Sequence, residues 1–208
     1  MAAVGIAAMG IKERQLEQKE RLRRSMLDAA ANLFVKEGYE KVSMRRIAQK
    51  INYSPMSIYL YFRDKAEILD TICEQTFAKL IQHKRLARPE DYPGDPIGYL
   101  KGGLRAYVEF GLRHPYHYQL TFMTRASADG ERRRRIGQEA FGCLRAAVTA
   151  CAEQGKLRPA DVELASQVLW TAVHGVTSLL ITHPKFPWVN RDQLITGAID
   201  TIVRGLER

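Results

Sequence analysis

Residues 43–69 read SMRRIAQKINYSPMSIYLYFRDKAEIL, and each boundary in the stretch carries its own chemical signal. Ser43 offers a hydroxyl to an orphan N–H, and Met44, Ile47, Ala48 and Ile51 then recur at helical spacing. Asn52 falls where the chain must turn, and Asn tolerates the left-handed conformation better than most side chains. Ser54 followed by Pro55 is a second start signal: a capping hydroxyl, then a residue whose fixed φ and missing N–H suit the first helical position. Asp64 with Glu67 three residues on gives a capping-box-like start to a further helix, Asp standing in for Ser or Thr. The stretch therefore predicts two short helices across a tight turn, then the beginning of a longer third. That arrangement is the helix-turn-helix unit, whose second helix enters the DNA major groove.

Upstream, Leu22, Met26, Ala30, Leu33 and Phe34 share one face of a helix expected from about Glu20 to Glu37. Gly38 ends it, and Tyr39 is placed to pack back. With Ala29-Ala30-x-x-Leu33-Phe34-x-x-x-Gly38-Tyr39, Ile47-Ala48 and Ser54-x-x-Ser57-Ile58-Tyr59-x-Tyr61-Phe62-x-x-Lys65-x-x-Ile68-Leu69 in place, residues from about 20 to 70 resemble the DNA-binding region of the TetR family of bacterial transcriptional repressors. The family usually has Gly in the turn where this chain has Asn52. The resemblance places base-facing positions on Ser54, Pro55, Met56 and Ser57, with Ser43 and Arg45 on the preceding helix, and phosphate-facing positions on Tyr59, Tyr61 and Lys65. Their chemistry suits these roles. Arg donates two bonds to the guanine edge, Ser both donates and accepts, and Pro and Met offer apolar contact to thymine methyls. Phosphate contacts set register without carrying sequence information.

The expected organisation is all-α: residues 1–19 a disordered tail or arm, 20–65 the helix-turn-helix domain, and 66–208 an effector-binding and dimerisation domain. Lys12 to Arg24 reads equally as a helical extension touching backbone phosphate and as a solvated lead-in. Ile68, Leu69, Ile72, Cys73, Phe77, Leu80 and Ile81 fit a long helix to about Arg85, and Pro89, Pro93, Gly94 and Pro96 mark a loop. Further helices are expected at 97–113, 116–123, 131–154, 159–182 and 191–207. Nothing alternates with period two, so no sheet is expected.

The second half resembles the family's effector domain loosely. Its one local signature is Trp170-x-x-x-His174-Gly175, similar to the tryptophan-histidine-glycine motif of one C-terminal subgroup. Trp170 and His174 lie one turn apart on a helical face. The aromatic and polar-tipped residues available to line a small-molecule pocket are Phe77, Tyr99, Tyr107, Phe110, His114, Tyr118, Phe122, Phe141, Trp170 and His174. Any one of them taken alone reads as readily as plain core. Stripes containing Val173, Val176 and Leu180 on one helix, and Ile195, Ile199 and Ile202 on another, suit either a four-helix subunit interface or the chain's own core. The interface reading is preferred, because helix-turn-helix dimers present two heads about 34–36 Å apart. His114 and His117, interrupted by Pro115 and without carboxylate or Cys neighbours, give no metal-site pattern. The Arg132 to Arg135 run reads as a solvated helix start or a receptor for an acidic effector.

Composition narrows the partners. Net charge is +9, and residues 1–65 hold 13 Lys or Arg against 7 Asp or Glu, so most of the excess lies in the segment expected to meet DNA. The 46% hydrophobic and 26% charged fractions are those of an ordinary soluble protein. Three cysteines without a pairing pattern point to reduced thiols and the cytoplasm. The apolar opening MAAVGIAAMG lacks a basic lead and is too short to span a bilayer, and no later segment reads as a membrane helix. GxGxxG, P-loop, HExxH and GxSxG are all absent, so neither an enzyme nor a cofactor is expected. An architectural DNA binder without effector is the remaining alternative. The expected function is a homodimeric, ligand-responsive repressor that binds a palindromic operator and is released by a small molecule.

Overall fold

The computed structural model describes residues 10–84, 89–124, 131–158 and 161–208. Among these residues no strand forms, and the one ladder-like contact is an isolated antiparallel bridge between Leu157 and Glu207. The helices are α1 (Ile11–Glu37), α2 (Met44–Lys50), α3 (Pro55–Tyr59), α4 (Lys65–Lys84), α5 (Pro96–Arg113), α6 (Pro115–Phe122), α7 (Glu131–Glu153), α8 (Val162–Thr182) and α9 (Arg191–Arg204). The chain divides into two compact units, Met1–Thr71 and Ile72–Arg208. The division falls inside α4 rather than at its start, because the fully buried Ile68 and Leu69 belong to the first unit.

In the first unit α1 begins at Ile11, not at about Glu20. Glu13 accepts a bond from the Gly10 N–H at 2.8 Å and places a carboxylate at the positive end of the helix. Residues 11–19 are thus the helical extension; residues 1–9 lie outside the described part. Met26, Ala30, Leu33 and Phe34 form the buried stripe of α1. Gly38 stops the helix at φ +87, its N–H donating to the Phe34 carbonyl, and the Tyr39 ring meets Phe34 edge-on at 5.1 Å. A 3₁₀ turn at Tyr39–Lys41 leads to α2. Arg46 grips Glu37 through two nitrogens, at 2.8 and 3.3 Å, and joins α2 to the end of α1. That guanidinium holds the Glu37 carboxyl below its ordinary range.

In the second unit α5 packs against α6, α7, α8 and α9, while α7 and α9 also pack on α8. Leu100, Leu104, Val108, Leu169, Val148 and Val203 form the centre of its core. Gly111 permits the closest approach: a Cβ there would collide with Thr177 of α8 and with the Tyr118 ring of α6. Arg105 ties α5 to α9 through Asp192 at 2.7 Å and Thr196 at 3.0 Å.

Two sequence expectations fail in this unit. Val173, Leu180, Ile195 and Ile199, expected at a subunit interface, are each 6% exposed or less within the single chain, and Val176 and Ile202 pack part-buried against the same core. The stripes are wide because α8 and α9 must bury one face in their own unit; the core claims it first. The second failure concerns the membrane. By length and composition alone Val162–Thr182 is apolar enough to span a bilayer. Its apolarity has another use here, since Ala165, Leu169, Val173, Thr177 and Leu180 line the buried side of α8.

Candidate nucleic-acid interface and ligand cavity

The reading surface is built by caps. Ser43 Oγ accepts from the Arg46 N–H at 3.2 Å, which starts α2 and leaves Arg45 on its exposed side. At the turn Asn52 sits at φ +59, the left-handed conformation that its position demanded. Ser54 Oγ then accepts from the Ser57 N–H at 3.2 Å and lies 2.9 Å from Ser57 Oγ. Pro55 occupies the first turn of α3. The helix has two faces of opposite character. Ile58 is fully buried, as is Phe62 just beyond the helix, whereas Met56 is 70% and Tyr59 53% exposed. Large apolar side chains left in water on a short helix mark a contact surface. Tyr53 and Leu60 widen that surface, and both were missed from the sequence because they lie outside the positions carried by the resemblance. Ser54 and Pro55 are exposed, Ser57 and Tyr61 half-buried.

Lys65 is placed differently from a free phosphate anchor. Its ammonium donates to the Tyr39 carbonyl at 3.0 Å and the Glu40 carbonyl at 3.3 Å, and sits 4.4 Å over the Tyr39 ring. It stitches the start of α4 to the α1–α2 turn. Asp64 accepts from the Glu67 N–H at 2.8 Å, and that bond, with Arg63 beside it, holds the Asp64 carboxyl below its usual range. Glu67 reaches back to the Arg63 N–H at 2.7 Å, one residue earlier than a standard box.

The second unit contains a cavity of about 1030 Å³. Six of the residues expected to line a pocket do so: Phe77, Tyr107, Phe122, Phe141, Trp170 and His174. Phe110, Tyr118 and His114 do not line it. Phe110 and Tyr118 are core; Tyr118 is completely buried and acts on the cavity through its hydroxyl, while His114 stacks its ring near Phe110. Tyr99 borders a separate small cleft beside Cys143. Val173, expected at an interface, is part of the cavity wall. The polar lining was missed: Thr121, Gln138, Arg145, Glu163 and Gln167 carry no motif, and only the packing of α6, α7 and α8 brings them together. Arg145 and Glu163 pair across α7 and α8 at 3.6 Å. Of the arginine run, Arg134 faces the cavity and Arg135 is exposed, while the side chains of Arg132 and Arg133 lie outside the described residues.

Inside the cavity the polar atoms form a chain. Trp170 Nε1–H donates to Tyr107 Oη at 3.2 Å, Tyr107 Oη meets Tyr118 Oη at 3.0 Å, and Tyr118 Oη meets His174 Nδ1 at 2.6 Å. Burial pushes the Tyr107 phenol up to about 12 and the Tyr118 phenol higher, and pushes the His174 imidazole down. All four groups are therefore neutral near pH 7. Among the described residues no cluster of His, Cys, Asp or Glu is arranged to hold a metal.

A capped helix-turn-helix unit followed by a helical unit with a large aromatic cavity defines a class: a one-component DNA-binding regulator. Family models place the chain within that class. The model for bacterial regulatory proteins of the tetR family matches residues 26–72, and that for the tetracyclin repressor-like C-terminal domain matches 100–202. Together they account for most of the chain, which belongs to the TetR family. Among solved structures it is similar to the TetR family transcriptional regulator PfmR from Thermus thermophilus, at 26% identity and a TM-score of 0.73 over 88% of this chain and 99% of that one. It is also similar to a protein with unknown function from Rhodococcus sp. RHA1, at 25% identity and 0.75 over 90% and 96%. The fatty acid degradation regulator FadR from Bacillus halodurans shares the fold at 17% identity and 0.74 over 89% and 97%. Membership makes this chain a DNA-binding transcription regulator and not an enzyme.

Proposed function

We propose that the protein is a homodimeric repressor that binds a palindromic operator through α2 and α3 and releases it when a small molecule fills the cavity of the second unit. The observation that carries the first half is α3 itself, which buries Ile58 and presents Met56 and Tyr59 to water next to the capped Ser54 and Ser57. Arg45 is the donor suited to a guanine edge, and Pro55 and Met56 the apolar contacts for thymine methyls. Tyr59 and Tyr61 are suited to phosphate. Lys65 serves as anchor only when a phosphate replaces a carbonyl partner, so its first role is to hold the α1–α2 turn.

For the dimer, the surface moves from the buried stripe to its opposite side. Leu164, Val168, Ala172, Gly175 and Leu179 recur on the outer face of α8, with Leu164 60% and Leu179 47% exposed. Gly197 and Thr201 are the small exposed residues of α9 that let a second copy approach. Two helices from each subunit would then close a four-helix bundle.

Ligand acts by population shift. α4 begins in the first unit and lines the cavity of the second with Phe77 and Leu80, so a filled cavity favours one placement of α4 over another. Effector and operator then weaken each other by the same factor. The test is operator affinity measured with and without a compound that fills the cavity; unchanged affinity with the compound bound would remove the coupling.

A further inference from the structure

The cavity states more than its size, because the hydrogens in its polar chain can be counted. Three are to be placed: those of Trp170 Nε1, Tyr107 Oη and Tyr118 Oη. If Tyr118 donates to His174 Nδ1, Tyr107 donates to Tyr118 and Trp170 donates to Tyr107, every hydrogen has an acceptor at the observed 2.6, 3.0 and 3.2 Å. If His174 Nδ1 instead carries the proton, Tyr118 must donate to Tyr107, which already accepts from Trp170, and the Tyr107 hydrogen has no acceptor within the chain. The first arrangement satisfies the buried groups, and it places the imidazole proton on Nε2 of a ring that lines the cavity. Thr121 adds a second unsatisfied group. It also lines the cavity, and its buried Oγ1 has no hydrogen-bond partner among the described residues. The rest of the wall is apolar: Phe77, Leu80, Leu104, Phe122, Leu144 and Val173.

We infer that the effector is a predominantly apolar molecule with one uncharged carbonyl oxygen, of ketone, ester or amide type, seated between His174 Nε2–H and Thr121 Oγ1–H. This rests on the reading of the cavity as the effector site and adds its chemistry. A hydrocarbon would leave both donors unmade, which costs more than a hydrogen bond contributes. A carboxylate would lose its hydration against donors that are all neutral, since burial disfavours the charged form of His174. The charged lining residues Arg134 and Arg145 belong to the exposed part of the wall, so an acid drawn to them would sit away from the His174 end.

Three isosteres separate these cases: 2-acetylnaphthalene, 2-ethylnaphthalene and 2-naphthoate, titrated calorimetrically into the purified full-length protein. The ketone is expected to bind about tenfold more tightly than the ethyl compound, the worth of one to two buried hydrogen bonds. His174→Phe and Thr121→Val should each shrink that ratio, whereas His174→Gln, which keeps an N–H near the Nε2 position, should retain part of it. Thermal melting of each variant confirms that it folds. Equal affinity for ketone and ethyl compounds, tightest binding by the naphthoate, a ratio indifferent to His174 and Thr121 in folded variants, or no binding of any of the three would overturn the inference. Repeating the titration with operator DNA present separates the two proposals. A ketone preference without loss of DNA would keep the ligand chemistry and remove the release mechanism.

Discussion

At the scale of single residues, the same side-chain type takes different roles according to what it touches. Arg45 and Arg46 are neighbours in sequence, yet Arg46 is committed to Glu37 while Arg45 stands on the exposed side of α2. Arg45→Ala should therefore cost about 1–3 kcal/mol of operator binding and relax specificity at one base pair, as read by binding to a panel of single-position operator variants. Lys65→Ala should instead lower the melting temperature of the protein, since two carbonyls lose their donor. A Lys65→Ala protein of unchanged stability and weakened binding to all DNA would return that residue to a phosphate role. His174 gives a pH signature. Its pKa is lowered by burial, so the unfolded chain binds a proton that the folded chain refuses, and stability is present above about 6.5 and declines as pH falls below it. Denaturant melts between pH 7.5 and 5.5 should show that decline in the native protein and less of it in His174→Phe.

At the scale of elements, helix limits were legible where a chemical stop or start exists. Ser43, Ser54-Pro55, Gly38 and Pro115 each put a boundary where the sequence predicted one. The start of α1 was not legible, because Gly10 is a weak cap and the Glu13 bond that closes it is a contact between side chain and backbone. The two-sided nature of α8 was also hidden: a wide apolar stripe does not say which part the core takes. Gly38 and Gly111 test the elements directly. Gly38→Ala places a side chain at φ +87 and should destabilise the protein by about 1–3 kcal/mol. Gly111→Ala drives a methyl into Thr177 and the Tyr118 ring, costs about 1–3 kcal/mol, and should weaken ketone binding through the displaced Tyr118 hydroxyl. If Gly111→Ala were as stable as the native protein, the tight α5–α8 approach would be in doubt.

At the scale of the whole molecule, the charge excess and the helix-turn-helix spacing made the DNA-binding unit legible residue by residue, because its contacts are local in sequence. The cavity was legible only through its aromatics. Its polar residues come from α6, α7 and α8, and Thr121 and Glu163 are brought to one wall only by the tertiary packing. The dimer tests the same level. Leu179→Glu places a charge on the exposed side of α8 and should leave the chain folded while shifting it to a monomer in light scattering, with operator affinity falling together. A dimer that survives this change uses another face.

The most direct test of the account is selection of random duplex DNA by the purified protein, followed by footprinting of the enriched sequence. Two inverted half-sites should emerge with centres one helical turn or a multiple apart, and Tyr59→Ala or Ser54→Ala should abolish the enrichment. Recovery of a lone half-site, or of no sequence above bulk DNA at moderate salt, would contradict it.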